Sequence, residues 1–219
     1  MIELESVSKS YQMGKNTVSV LEDINLRINR GEFIGILGQS GSGKTTLSNI
    51  IAGLLPPTSG NVIIDGREIL KLSDRKMSEF RNRTLGFVFQ SFNLIPGMSA
   101  LENVMLPLAY SKIGYKKREE LGKGVLERVG LSLRINHSPD EMSGGQMQRV
   151  AIARAIINSP RIIIADEPTG NLDTSSAATV MDLLKSINSD GVTVLMVTHN
   201  NDYKKYFTGT ISLKEGRIV

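Results

Sequence analysis

Cysteine and tryptophan are both absent from the 219 residues. Without cysteine there are no disulfides, no thiolate metal sites and no cysteine nucleophile, and a reducing compartment, the cytosol first of all, is the default expectation. Long apolar runs are absent as well: the most hydrophobic segments, 162–165 and 192–197, are far short of the roughly 20 residues that cross a bilayer, so no transmembrane segment is expected. The first ten residues carry Glu3 and Glu5 where a secretory signal needs a basic patch and an apolar stretch, so export by that route is not expected. Nor is there a block of one charge. The 26 Lys+Arg interleave with 22 Asp+Glu, a net charge of +4 that reads as a solvated surface and not as a nucleic-acid face. What is there is a chain 40% hydrophobic, enough for one globular domain or a domain with a small satellite.

Residues 2–7 and 23–28 alternate apolar with polar, as strands with one buried face do, and Asn29-Arg30-Gly31 marks a turn. Residues 33–37 form a nearly continuous apolar run, the signature of a strand buried on both faces, leading through a glycine-rich loop into a helix over 44–55. A turn at 56–60, a strand at 62–65, a helix at 73–83 and an apolar strand at 85–89 follow. From 90 to about 140 no strand pattern appears. Ser99 with Glu102 forms a capping box, 116–129 reads as a helix closed by Gly130, and Ser143 with Gln146 caps a second amphipathic helix running to Asn158 before Pro160. Apolar strands return at 162–165 and 192–197, separated by a helix over 174–188 in a parallel crossover, and 210–213 with Lys214-Glu215-Gly216 reads as a closing hairpin. No internal repeat or long linker is visible.

The loop Gly38-Gln39-Ser40-Gly41-Ser42-Gly43-Lys44-Thr45 has the phosphate-loop spacing and the strand-to-helix placement that gives the spacing meaning. Its glycines let backbone N–H groups converge on phosphate oxygens while the helix N-terminus adds positive dipole. Lys44 is placed to neutralise the transferred phosphoryl group, and the Thr45 hydroxyl to ligate Mg²⁺. Thr46, next along the chain, is expected to join Gly38, Ser40, Gly41, Ser42, Gly43, Lys44 and Thr45 in binding the nucleotide.

A second chemical cluster ends the strand at 162–165, where Asp166 and Glu167 fall at the edge at which parallel sheets bind ligands. Asp166 is expected to hold Mg²⁺, and Glu167 to orient or deprotonate the attacking water. His199 follows the strand at 192–197 and would reach the same edge to touch a γ-phosphate; His137 reads as a surface or capping residue.

Met142-Ser143-Gly144-Gly145-Gln146, followed by Gln148-Arg149-Val150-Ala151, resembles the signature motif of ATP-binding cassette (ABC) ATPases, with Met142 in place of the usual leucine. Physically, a serine and two glycines at a helix N-terminus make a second anion site. The resemblance implies an α/β P-loop NTPase fold: an antiparallel β-subdomain, a RecA-like parallel-sheet core over about 1–90 and 159–219, and a helical subdomain inserted at about 91–158. It also implies a head-to-tail homodimer in which each ATP lies between Lys44 of one chain and Ser143, Gly144, Gly145 and Gln146 of the other. Tyr11 matches the aromatic that stacks on adenine, Gln90 the glutamine that senses Mg²⁺ and attacking water, and Asp173 the loop that crosses the dimer interface. The resemblance covers nearly the whole chain.

Glu167-Pro168-Thr169-Gly170-Asn171-Leu172-Asp173, with residues 90–96 and 101–104, is similar to the branch of this family that serves lipoprotein release, macrolide export and antimicrobial-peptide resistance. That likeness implies a peripheral ATPase on the inner face of the cell membrane, beneath a permease of few spans. The chain ends just after the predicted hairpin, so no accessory regulatory domain is expected. A non-transport relative, in which the cycle regulates a cell-wall hydrolase, is the alternative. The stretch between Lys44 and Ser143 carries no sustained heptads, against a DNA-repair ATPase head. No Asn-Lys-x-Asp guanine-reading motif is present, against a small GTPase.

Overall fold

The computed structural model describes residues 2–14 and 16–219. Strands β1 (Ile2–Met13) and β2 (Asn16–Ile28) form an antiparallel hairpin paired from Ile2↔Ile28 at its base to Met13↔Asn16 at its tip. The expected strands, 2–7 and 23–28, are the halves of this hairpin that bury Ile2, Leu4, Val7, Ile24 and Ile28. The outer halves stand in solvent at Tyr11, Gln12, Met13 and Val18, so no apolar face selects an alternating pattern there.

Strand β3 (Phe33–Leu37) is buried along its whole length and feeds helix α1 (Lys44–Ile51). This helix is shorter than the expected 44–55 because Gly53 turns the chain at φ +62° beneath Met77. Strands β4 (Ser59–Ile64) and β5 (Arg67–Glu68) complete a four-stranded antiparallel sheet of order β2-β1-β4-β5. Helix α2 (Asp74–Thr84) then leads into β6 (Leu85–Phe89). Next come α3 (Ala100–Met105), α4 (Tyr115–Arg128) and α5 (Gly144–Ile156). The capping boxes at Ser99 and Ser143 both form, and Gly130 closes α4 at φ +71°. Strand β7 (Ile162–Asp166), α6 (Thr174–Ser189), β8 (Thr193–Thr198), β9 (Gly209–Lys214) and β10 (Arg217–Ile218) finish the chain.

The second sheet has the order β10-β9-β3-β8-β7-β6 and is parallel except for β10. Its strands divide their side chains by the two-residue period. Ile162, Ile164, Leu195 and Val197 join α1 and the antiparallel sheet in one apolar cluster, while Ile163, Ala165, Val194 and Met196 face α6 and the end of α5 in another. Such two-sided burial explains why β7 and β8 read as unbroken apolar runs. A third cluster joins α3, α4 and α5 through Val104, Leu126, Val150 and Ala153. Helix α5 serves both sides, with Ile152 and Ile156 on the sheet and Val150 and Ile157 in the helical cluster.

Candidate active site

Parallel pairing brings the carboxyl ends of β3, β6, β7 and β8 to one edge, so Gly38, Gln90, Glu167 and His199 leave the sheet together. At that edge lies an open cleft of about 650 Å³ lined by Gln39, Ser40, Gly41, Gly43, Lys44, Thr45 and Thr46 from the loop side and Gln90, Glu167 and His199 from the strand ends.

Gly43 caps α1 at φ +100°, a left-handed conformation in which it has no side chain to offer the first helical N–H groups. Those donors are left for an anion. The Lys44 ammonium, almost wholly buried, donates to Gly38 O and Gln39 O, each at 2.8 Å, and so spans the loop it belongs to. The buried Ser42 hydroxyl has no hydrogen-bond partner among the described residues.

Across the cleft, Thr45 Oγ1 donates to Asp166 Oδ1 at 3.4 Å. Burial pushes the Asp166 carboxyl above its ordinary range; the Thr45 hydroxyl and the Lys44 charge oppose this, and the neighbouring Glu167 charge adds to it. A hydroxyl beside a carboxylate that burial leaves short of positive charge is a donor set of the hard oxygen kind that Mg²⁺ accepts. Glu167 sits at φ +46°, an unusual backbone for a side chain of its size, fixed by its own N–H on Val197 O at 2.9 Å. Its Oε1 lies 2.9 Å from His199 Nδ1, so base candidate and histidine are one hydrogen-bonded pair. Gln90 is held from behind by Asn171, whose Nδ2 donates to Gln90 O at 3.2 Å.

Gly38, Ser42 and Asp166 are not among the residues lining this cleft, and three further groups of sequence-predicted residues lie outside it. Ser143 and Gln146 close their capping box, with Ser143 Oγ accepting from Gln146 N at 3.3 Å and Gln146 Oε1 from Ser143 N at 3.0 Å. Ser143, Gly144, Gly145 and Gln146 contribute nothing to the cleft wall. Tyr11 does not line it either; its ring is exposed on the hairpin with the Lys9 ammonium 5.1 Å from its centre, and the β2 residue in the wall is Val20. Asp173 caps α6, accepting from the Ser175 and Ser176 hydroxyls at 2.6 Å and from both backbone N–H groups. Those bonds, the two hydroxyls foremost, hold its carboxyl far below the usual range.

Two residues of α5 have no role assigned from sequence, Gln148 entering only as part of the motif after Gln146. Gln148 is fully buried and donates to Phe89 O and Pro168 O, and Arg154 donates to Phe92 O and Asn93 O. The signal for Gln148 was its spacing: Gly145, Gln148 and Ile152 share the buried stripe of α5, where an amide has to have a reason.

A family model described as ABC transporter matches residues 21–170. An uncharacterized ABC transporter ATP-binding protein, YknY of Bacillus subtilis, is 48% identical over 219 residues, covering 100% of this chain and 95% of that protein. The macrolide export ATP-binding/permease protein MacB of Bdellovibrio bacteriovorus is 46% identical over 218 residues, and there the match spans only 33% of the relative. Among solved structures, the dimeric post-hydrolysis state of the ATP-binding cassette MJ0796, bound to ADP and Pi, superimposes with a TM-score of 0.92 at 43% identity over 100% of this chain and 96% of that one. Loop, acids and capped helix thus stand together on a fold shared along its full length with such cassettes, and the chain belongs to the ABC transporter family as an ATP-binding, ATP-hydrolysing subunit.

Proposed function

We propose that the chain powers a membrane permease for export or extraction, of the lipoprotein, macrolide or antimicrobial-peptide kind, from the inner face of the cell membrane. In this reading two copies close head to tail on two ATP molecules. The observation that carries it is the division of the anion sites: Lys44 and the uncapped start of α1 share a cleft with Glu167 and His199, while the Ser143 helix start lies outside that cleft. One subunit therefore offers each nucleotide half of its enclosure, and a second copy supplies the rest. The relatives named as macrolide export proteins, each a cassette joined to a permease in one chain, support the export branch.

The proposed roles follow from chemistry at the cleft. Backbone N–H groups from Gly38 to Gly43 and the Lys44 ammonium bind the β- and γ-phosphates. Thr45, Asp166 and Gln90 would hold Mg²⁺, which supplies charge neutralisation between the phosphates. Glu167 takes a proton from the attacking water, and His199, bonded to it at 2.9 Å, fixes the carboxylate and contacts the γ-phosphate. Tyr11 stacks on adenine and Asp173 meets the partner subunit across the dimer. No helix among the described residues is long and apolar enough to cross a membrane, so attachment there rests on the permease.

Glu167→Gln tests the core of this. Hydrolysis should fall by roughly 10²–10⁴, the worth of a positioned base, while ATP binding persists and an ATP-bound dimer accumulates. Near-normal turnover would remove Glu167 from the chemistry. The trapped variant, purified from native membranes with ATP, should bring an integral membrane protein with few spans and a large outer domain. Recovery of a cell-division permease with a wall hydrolase would replace transport by regulation.

A further inference from the structure

Two main-chain carbonyls border the chemistry on either side. Phe89 O immediately precedes Gln90, and Pro168 O immediately follows Glu167. Both point at one side chain of α5: Gln148 Nε2 donates to Pro168 O at 2.7 Å and to Phe89 O at 3.3 Å. Since two carbonyl oxygens can be satisfied only by the NH₂ end, the amide has a single useful orientation. Its own Oε1 is consequently buried with no partner among the described residues. An orphaned buried oxygen works against folding, and native proteins keep one only where something else requires it. A methionine or leucine here would remove the orphaned oxygen but leave Phe89 O and Pro168 O without this donor, so the amide is kept for those two main-chain carbonyls and not for filling space.

The neighbours are tied in the same way. Arg154, lower on the same helix, donates to Phe92 O at 2.8 Å and Asn93 O at 2.6 Å, and Asn171 reaches Gln90 O. Helix α5 thereby grips both loops that leave β6 and β7. Glu167 holds a left-handed backbone, which persists only when its surroundings over-determine it. The bond to the next peptide carbonyl is one of those determinants.

We propose that Gln148 is a positioning residue for hydrolysis. Its amide fixes the peptides on either side of the cleft to α5, whose first turn at Ser143 is the outward anion site, so that α5 and the Glu167 carboxylate are set as one unit. The proposal rests on Glu167 being the base.

The test is a double-mutant cycle in the full-length chain with Q148M, E167Q and the double variant. Single-turnover hydrolysis, steady-state kcat and KM, nucleotide affinity and melting temperature are measured for each. A residue acting through Glu167 predicts at least a tenfold loss of kcat in Q148M, with KM and nucleotide affinity within twofold. In the E167Q background, where the base is already gone, the same change should cost no more than twofold. A loss of equal factor in both backgrounds, or a Q148M kcat within twofold of the parent, overturns the proposal. Should Q148M fail to fold, Q148N keeps an amide too short to reach both carbonyls and enters the same cycle. Undiminished turnover in E167Q alone would instead sink the assignment of the base, and this inference with it, whereas a slow E167Q beside a fast Q148M sinks only the positioning role.

Discussion

Gly145 offers a prediction whose size can be worked from the packing of α5 on α6. A Cβ added at Gly145 would stand 2.5 Å from Ser176 Oγ and 2.7 Å from Ser176 Cβ, contacts that force one helix away from the other. Ser176 cannot simply rotate, because its hydroxyl is bonded to Asp173 Oδ2 at 2.6 Å in the cap of α6. Overpacking of this kind costs about 1–3 kcal/mol, against which alanine gains at most about 1 kcal/mol in helix propensity. Gly145→Ala should therefore destabilise the fold by about 1–2 kcal/mol. Ser176→Gly removes both offending atoms, so on that background the same substitution should be neutral or stabilising by up to about 1 kcal/mol. Urea unfolding of the parent, both single variants and the double variant measures the coupling directly. An equal cost of Gly145→Ala in both backgrounds, or none in the parent, would refute the packing argument. Gly144 supplies the contrast: its added Cβ would meet Leu172 Cδ2 at an ordinary 3.5 Å. Gly144→Ala should thus leave stability within about 0.5 kcal/mol, so a loss of ATP-driven dimerisation in that variant would report on what approaches the helix from outside.

Lys44→Ala removes a charge-assisted donor to phosphate and the two bonds that span the loop, so nucleotide affinity should fall roughly 10- to 100-fold in a fluorescent titration; unchanged affinity would move Lys44 out of the phosphate site. At the far side of the sheet, burial raises the Asp65 carboxyl, but the interactions that lower it, foremost the hydrogen bonds from Arg161 at 2.6 Å and Arg30 at 2.9 Å, outweigh it and hold the group at about 2 against an ordinary 3.8. A depressed carboxylate stabilises above its unfolded value and loses that contribution as pH falls through the folded one. Asp65→Asn, which suits the φ of +51°, should cost about 1–2 kcal/mol at pH 7 once the exposure of both arginines is allowed for. That cost should shrink steadily from about pH 4 towards pH 2, and a pH-independent difference in denaturant midpoints would contradict it.

The parts of the site that sequence exposed are those governed by local rules. A glycine-rich loop between an apolar strand and a helix, two acids at a strand end and a serine capping box each have a pattern short enough to read within ten residues, and the structure sets the loop and Glu167 in one cleft, with Asp166 hydrogen-bonded to Thr45 of that loop. The fold was legible for the same reason wherever burial imposed a period: β3, β7 and β8 are apolar because both faces are covered. It was not legible in the outer hairpin, where Gln12, Met13 and Thr17 are exposed and pairing alone makes the strands. Nor could the sequence show Gln148 on two carbonyls that lie 59 and 20 residues away, since such bonds exist only after β6 and β7 are neighbours. Tyr11 illustrates the converse. It matches a family position by order along the chain, yet the subunit alone leaves it outside the cleft wall.

These differences follow from how α5 is used. A helix that served only the helical cluster would need one apolar stripe, and its first turn could shift without consequence for the sheet. Here Val150 and Ala153 lie in the helical cluster, Ile152 and Ile156 pack on the sheet, and Gln148 and Arg154 hold the main chain of the two loops beside the cleft. Close-packed interiors transmit small displacements because they have few voids to absorb them. Gly145 removes what slack remains, since the approach to Ser176 leaves no room for a methyl group. If an anion binds at Ser143 as proposed, it acts on a helix joined through the Gln148 amide to the peptide that follows Glu167, five residues along α5.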